Sequence, residues 1–334
     1  MRGSYHIIVQ NRYLKYEFDV HRNLTIIQGN SATGKTTLVE MIRESHLDSR
    51  SGVTISCERP CRVIEGDLWK EQIAYIRDSI VFIDEGSSFV ESEDFATAVK
   101  NSSNYFVIVT RENLEMLPIS VEEVYGIRSS GKYGTLEPVY HEMYHVYDLS
   151  RKSDTLVIPD RILVEDSNSG YEFFCDIAEK NGLICSSAHG KSNIFTCLNE
   201  MKTDDEILVI ADGAAFASQM NRIAVLINRN KKIHLYLPES FEWLLLSSGV
   251  VRNSELRDIL QNPSEYIESL NYFSWERFFT SLLIDKTKGS YLQYSKSKLN
   301  SNYLQKSIQD KILSHMDRIQ LTKIESQVTS GSTK

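Results

Sequence analysis

No run of about 18 or more apolar residues occurs in this sequence, and the opening MRGSYHIIVQNRYLKYEFDV lacks the long apolar core of a secretory leader. Neither a membrane span nor secretion is expected, which leaves a cytoplasmic protein as the default reading. Cysteine is scarce. The five residues Cys57, Cys61, Cys175, Cys185 and Cys197 are an odd number, with one close pair and no second pair to complete a zinc site. Reduced, mostly buried thiols are expected. An excess of positive charge is also missing: at −8 the chain cannot coat nucleic acid indiscriminately, because phosphate binding depends on Lys and Arg displacing counterions. The deficit is uneven, since residues 285–334 carry eight Lys and one Arg against three Asp and one Glu, a net +5 that leaves −13 on the rest. What is present is an ordinary globular composition, and 334 residues suffice for two compact domains with real cores.

The strongest local pattern is LTIIQGNSATGKTTLVEMI. An apolar strand, Leu24 to Gln28, enters Gly29, Asn30, Ser31, Ala32, Thr33, Gly34, Lys35, Thr36 and Thr37. The periodic run Leu38, Val39, Met41 and Ile42 then reads as a helix. This is a full Walker A pattern between a strand and a helix. Glycines let the backbone curl so that N–H groups face phosphates, and the helix N-terminus adds a positive dipole. Lys35 is the expected contact to the β and γ phosphates, and the Thr36 hydroxyl the expected Mg²⁺ ligand. Further on, SIVFIDEG delivers Asp84 and Glu85 to the carboxyl end of an apolar strand, where ligands collect in parallel sheets. Asp84 is expected to hold Mg²⁺ through water, and Glu85 to polarise the attacking water. The bland alternative is two solvated acids at the end of a core strand. A third strand, NYFVIVTREN, ends in Thr110, a candidate γ-phosphate sensor, and Arg111, which reads equally as a surface residue.

Residues 141 to 145, HEMYH, match the zincin pattern literally. That chemistry needs both histidines on one helical face with Glu142 as base. Pro138 precedes the run, and the aromatic and β-branched residues of PVYHEMYHVYDL favour a strand with His141, Met143 and His145 on one face. The strand reading is preferred, as the last strand of the first domain.

After the polar stretch 150–155, strand and helix alternate: Arg161 to Glu165, SGYEFFCDIAEKNG, Leu183 to Ser187, a helix through Ile194, then ILVIADGAAF, a helix through Met220, KIHLYL and ESFEWLLL. Four short apolar strands separated by helices predict a parallel sheet covered on both faces. Glu165 and Asp166 end the first strand, Asp212 the third, and Glu239 and Glu242 follow the fourth. The alternative is a flavodoxin-like domain with polar strand ends, in which Asp212 caps the next helix. His189, beside Gly190 and Lys191, reads as a loop histidine before it reads as a proton shuttle. From about 250 the pattern is helical. Leu304, Ile308, Ile312, Met316 and Ile319 form a stripe that needs a partner surface, on this chain or on a second copy or other protein partner. YLQYSKSKLNSNYLQK interleaves Tyr291, Tyr294 and Tyr303 with Lys296, Lys298 and Lys306, a composition suited to nucleic acid, though a solvated basic face is the commoner role.

The first half resembles ABC-like P-loop ATPases of the class with an added central strand, and a hairpin through Tyr5, Ile7 and Val9, then Tyr13, Lys15 and Phe18, fits that resemblance. It departs from them in having only the residues from 36 to 83 between Lys35 and Asp84, and no LSGGQ-like segment. The second half is similar to a Toprim domain, in which a glutamate after the first strand and an Asp-x-Asp after the third bind Mg²⁺ for phosphodiester chemistry. Carried over by position, Glu165 is the glutamate and Asp212 the first aspartate. Ala214 stands where the second would be, and Asp166 replaces the usual glycine. Together the halves resemble OLD-family ATP-dependent nucleases, many of them phage or plasmid defence proteins. The resemblance implies an α/β fold: a P-loop NTPase domain (1–149), a smaller four-stranded parallel Toprim-like domain (155–248), a helical C-terminal region (249–325) and a disordered tail (326–334). It implies ATP and Mg²⁺ as cofactors, a nucleotide-controlled unit acting on nucleic acid, and Glu165, Asp166, Asp212 and Glu242 as candidate metal ligands. A catalytically inactive Toprim-like interaction module in a nucleotide-dependent sensor is the alternative.

Overall fold

The period-two alternation of YHIIVQ folds as expected into a strand, β1 (Tyr5–Gln10), with Tyr5, Ile7 and Val9 buried and the residues between them facing out. A computed structural model describes residues 1–30, 33–129, 139–147, 156–201 and 203–322 of the chain. β1 pairs antiparallel with β2 (Leu14–Val20). The inward face of β2 is Tyr16, Phe18 and Val20. Tyr13, which precedes the strand and lies out of phase with that face, is 58% exposed.

The first sheet has nine strands in the order β4-β1-β2-β9-β8-β3-β7-β6-β5. Its remaining members are β3 (Leu24–Gln28), β4 (Thr54–Ser56), β5 (Cys61–Val63), β6 (Ile80–Ile83), β7 (Tyr105–Val109), β8 (Val124–Ser129) and β9 (Val139–His145). From β8 through β3, β7 and β6 to β5 all pairings are parallel. Helix α1 (Lys35–Leu47) lies against one face, sharing a core of Ile7, Ile27, Leu38, Ile42 and Phe82. The helices α2 (Trp69–Tyr75) and α3 (Glu93–Lys100) cover the other over Ile26, Val81, Phe95 and Ile108. HEMYH is extended, lying within β9, as the residue pattern predicts. Its two histidines are a strand's length apart rather than one helical turn, which removes the zincin reading.

The second sheet is four parallel strands in the order β11-β10-β12-β13: β10 (Arg161–Val164), β11 (Ile184–Ser187), β12 (Ile207–Ile210) and β13 (Ile233–Tyr236). Leu208 and Ile210 point to one core and Ile207 and Val209 to the other. Helices α5 (Lys191–Glu200) and α6 (Ala217–Arg229) cover one face. The opposite face carries α4 (Ser169–Asn181), α7 (Phe241–Ser247) and the C-terminal helices α8 (Leu256–Gln261), α9 (Trp275–Thr287) and α10 (Lys306–Leu313) in one continuous core. The apolar stripe Leu304, Ile308, Ile312, Met316 and Ile319 is spent inside that core, so its partner is this chain. Residues 150–155 and the tail 326–334 lie outside the described residues. Among the described residues no helix is long and apolar enough to cross a membrane.

Candidate functional site

Two edges gather the residues that the sequence singled out. The first is the carboxyl end of β3, β7 and β6, with β7 lying between the other two. Gly29 and Gly34, at φ of 136° and 92°, turn the chain from β3 into α1 through a region that only glycine enters without strain. α1 starts with no side-chain cap and no acidic residue in its first turn, so its first N–H groups and its dipole are left for an anion. The Lys35 ammonium is buried and folds back onto the loop, donating to the carbonyls of Gly29 at 2.8 Å and Asn30 at 2.7 Å and to Thr33 Oγ1 at 3.3 Å. Burial lowers its pKa, with Glu85 and Asp84 pulling the other way and Arg111 adding to the fall. Ser31 and Ala32 lie outside the described residues, while Thr36 and Thr37 open α1.

Around this loop the strand ends converge. Asp84 Oδ1 accepts from the Glu85 N–H at 2.8 Å, and the Glu85 carboxylate is held by Arg111 Nε at 2.7 Å. Thr110 is buried at the end of β7, its Oγ1 accepting from the Glu112 N–H at 3.0 Å. Asp84, Glu85, Thr110 and Arg111 line one cleft of about 310 Å³. Arg111 thus positions Glu85, a pairing across two strands that residue order does not reveal. A second feature escaped the sequence reading. His141, from β9, stacks on Tyr16 with ring centroids 4.4 Å apart, and Tyr16 Oη donates to the Gly34 carbonyl at 2.9 Å. A Cβ on Gly34 would stand 2.8 Å from Tyr16 Oη and 2.9 Å from His141 Nε2. The histidine of the false zinc motif is therefore a wall of the lysine loop, and burial lowers its pKa against an opposing contact with the Val139 backbone.

The second edge is the crevice between β10 and β12, where chain order reverses direction and ligands of open α/β sheets bind. Glu165 and Asp212 meet there: Glu165 Oε2 accepts from the Asp212 N–H at 2.9 Å, and Asp212 Oδ1 accepts from the Phe241 N–H at 3.1 Å. Asp212 therefore serves the start of α7, an end-capping role expected for the helix after it and found on a later one. Burial raises the Asp212 pKa well above the carboxylate range, with Glu276, Glu165 and Glu242 adding to it. Burial likewise lifts Glu165 to about 7 and raises Asp166. Asp166 turns toward its own helix, accepting from the Tyr171 N–H at 3.3 Å. Glu242 is 2% exposed and accepts from Tyr294 Oη at 2.8 Å, so it is a buried anchor for the C-terminal segment.

Two residues at this edge were not foreseen. Glu276, in the first turn of α9, is the leading charge acting on both Asp212 and Glu165, and Lys296 forms an ion pair with it. Burial disfavours the Lys296 ammonium, yet Glu276, Glu242 and Asp212 outweigh that and raise its pKa. The one signal in the sequence was a glutamate embedded in the apolar run FSWERFF. Lys191, whose pKa burial lowers, donates to the Ala215 carbonyl at 2.7 Å beside Glu165. His189 is a strained loop residue at φ 56°. Among the described residues no group of three or more His, Cys, Asp and Glu side chains is arranged to hold a metal ion. At the second edge the carboxylates accept from backbone N–H groups and a tyrosine, and Lys296 is paired with Glu276.

The two edges belong to one molecule through Arg22, at the entry to β3. Its buried guanidinium donates to Glu123 at 3.2 Å, forms a two-pronged pair with Glu239 at 2.9 and 2.5 Å, and lies 3.5 Å over the Trp275 ring. Arg22 thus reaches the turn before β8, the turn after β13 and the residue next to Glu276. It also lines a cleft of about 410 Å³ between the two sheets. No protein-family model matches the chain, and no curated protein is significantly similar to it.

Proposed function

We propose that the chain binds and hydrolyses ATP with its first sheet, and that its nucleotide state governs a second, Toprim-like unit that engages nucleic acid. The observation that carries the ATP reading is Lys35. A buried ammonium held by the carbonyls of a glycine turn, at an uncapped helix start beside Asp84, Glu85 and Thr110, is an arrangement suited to polyphosphate. The position of β7 between β3 and β6 supports assignment to the P-loop class with an added central strand. In this reading the phosphates take the loop N–H groups and compete with Gly29 and Asn30 for Lys35. Thr36 and Asp84 would hold Mg²⁺, which neutralises phosphate charge when bound. Glu85, oriented by Arg111, accepts the proton of the attacking water, and Thr110 contacts the γ-phosphate.

Phosphate release measured with Mg²⁺ and ATP tests this. Lys35→Ala should abolish turnover, and Glu85→Gln should lower kcat by about 10²- to 10⁴-fold while nucleotide binding persists. Equal turnover in the Lys35 variant and the native chain would remove the ATPase reading.

For the second unit, one observation favours the alternative of a catalytically silent module. Lys296 stands among the carboxylates where phosphodiester chemistry would require a cation, and Ala214 leaves the acidic pair incomplete. Cleavage assays on DNA and RNA with Mg²⁺ or Mn²⁺ separate the two. Cutting that is lost in Glu165→Ala or Asp212→Ala restores the nuclease reading; binding without cutting supports the silent module.

A further inference from the structure

The basic, tyrosine-rich segment near the C-terminus divides once it is folded. Tyr294 and Tyr303 are 3% and 0% exposed, inside the core, and Lys296 is paired with Glu276; none of these can meet a partner. Tyr291 is 66% exposed. Its ring is presented on a fixed turn, because its carbonyl accepts from the side-chain amides of Asn300 at 2.9 Å and Asn302 at 2.7 Å.

Beside that ring lies a groove of about 530 Å³ between the segment after α7, the end of α9 and α10. Arg252, Lys286 and Lys311 line it with the hydroxyl residues Thr287 and Ser290, and among the described residues no carboxylate does. In a chain of net charge −8 its three cations are a local concentration of positive charge, set against Glu255 and Asp285, which both pair with Lys286. Two of the cations are held in place, Lys286 by Glu255 at 2.6 Å and Lys311 by the Gly249 carbonyl at 2.6 Å. The exposed Arg252 guanidinium has no hydrogen-bond or ion-pair partner among the described residues. Fixed cations, one uncommitted guanidinium and a pinned aromatic face are the components of a single-strand site, in which phosphates meet the charges and a base stacks on the ring.

We propose that this groove binds single-stranded nucleic acid, with Arg252, Lys286 and Lys311 on the phosphates and a base stacked on Tyr291. Stacking on the ring requires a base released from its pair, which selects single strands over duplex. α9 gives the strand a direction. Its first turn holds Glu276 at the acidic crevice and its last turn holds Lys286 at the groove, about 15 Å away along the helix axis. A strand seated in the groove and following α9 would run toward the end of the helix that carries Glu276. The inference rests on the reading of the second unit as one that engages nucleic acid, and supplies the surface by which it does so.

The test is fluorescence anisotropy of a fluorescein-labelled oligothymidylate with the whole chain, in EDTA and without ATP, across a salt series. Binding should weaken as salt rises. Arg252→Gln should reduce the slope of log affinity against log salt by about 0.7, one single-strand phosphate contact. Tyr291→Ala should weaken binding roughly 5- to 150-fold with the slope unchanged, and Tyr291→Trp should preserve it. Both positions are exposed, and far-UV circular dichroism verifies that the variants fold. Three results would overturn the proposal: no binding at the lowest salt, native affinity in both variants, or displacement by thymidine monophosphate as effective as by oligomer at equal nucleotide concentration. Neither ATP turnover nor strand cutting takes part in this measurement. A chain that ignores the oligomer but binds duplex DNA sinks this inference alone, whereas one that binds neither also removes the nucleic-acid reading of the second unit.

Discussion

Glu123 shows what burial does to a single side chain. It is 3% exposed, hydrogen-bonded by Arg22 and Thr25, and burial still lifts its pKa to about 7 against the attraction of Arg22. In the unfolded chain the same carboxyl titrates near its ordinary 4.5. Between those pH values the folded state binds more protons than the unfolded one, so stability falls as pH rises through this window. By linkage the loss is about 3 kcal/mol. Glu123→Gln keeps an oxygen to accept from Arg22, turns its NH2 toward Thr25 Oγ1, which then accepts, and removes the titration. Urea unfolding at pH 5 and pH 8 should show the native chain losing about 2–3 kcal/mol more than the variant across that interval. Equal losses would mean that Glu123 stays charged throughout. Arg22 was invisible to sequence reading for a related reason: its partners Glu123, Glu239 and Trp275 are remote in sequence, and a lone arginine before a strand reads as a surface residue.

At the scale of elements, most of the strands could be read in advance, because β3, β6, β7, β10 and β12 are short, largely apolar runs that end in polar residues. HEMYH could be read as a strand from its alternating side chains. What could not be read is that β9 returns beside β2, in parallel, and so carries His141 onto Tyr16 and Gly34. Pairing partners are long-range information, and periodicity is local. The same holds for α9: its helical period is plain, but nothing in FSWERFF says that Glu276 will stand over Asp212. Gly213 illustrates a different shortfall. It looks like a turn residue, and its φ is not positive; its role is close approach, since a Cβ there would lie 2.6 Å from the Leu237 carbonyl oxygen and 2.9 Å from that of Pro238. Those oxygens are backbone and cannot swing aside. Gly213→Ala should therefore destabilise by about 1–3 kcal/mol in urea unfolding, as overpacking does. By displacing the turn after β13 it should also loosen the Phe241 N–H from Asp212.

The whole molecule is a mixed, mostly parallel nine-stranded sheet and a four-stranded parallel sheet, joined by a seam of hydrogen bonds and packed apolar side chains. Besides Arg22, the seam includes Gly3 N–H to the Ser264 carbonyl at 2.7 Å, Asn23 to the Phe273 carbonyl at 3.1 Å and Ala217 N–H to the Ile119 carbonyl at 3.1 Å. Asn221 receives a hydrogen bond from Tyr147 at 2.6 Å and donates one to Asn113 at 2.8 Å. Because these contacts do not depend on the peptide link between the halves, fragments 1–147 and 156–334 expressed together should co-purify as one complex. Arg22→Ala should weaken that association by about 3–5 kcal/mol, since two carboxylates are left buried without their cation. Separate elution of native fragments in gel filtration would show the seam too weak to hold alone.

Arg22 also constrains inheritance. One guanidinium satisfies a carboxylate from each half and covers a tryptophan from a third element, so none of the three positions is free to drift alone. A change at Glu239 is felt at β3, and a change at Arg22 is felt beside Glu276. Recombination that exchanges one half for a cognate part from another lineage would succeed only where the arginine's partners travel with it.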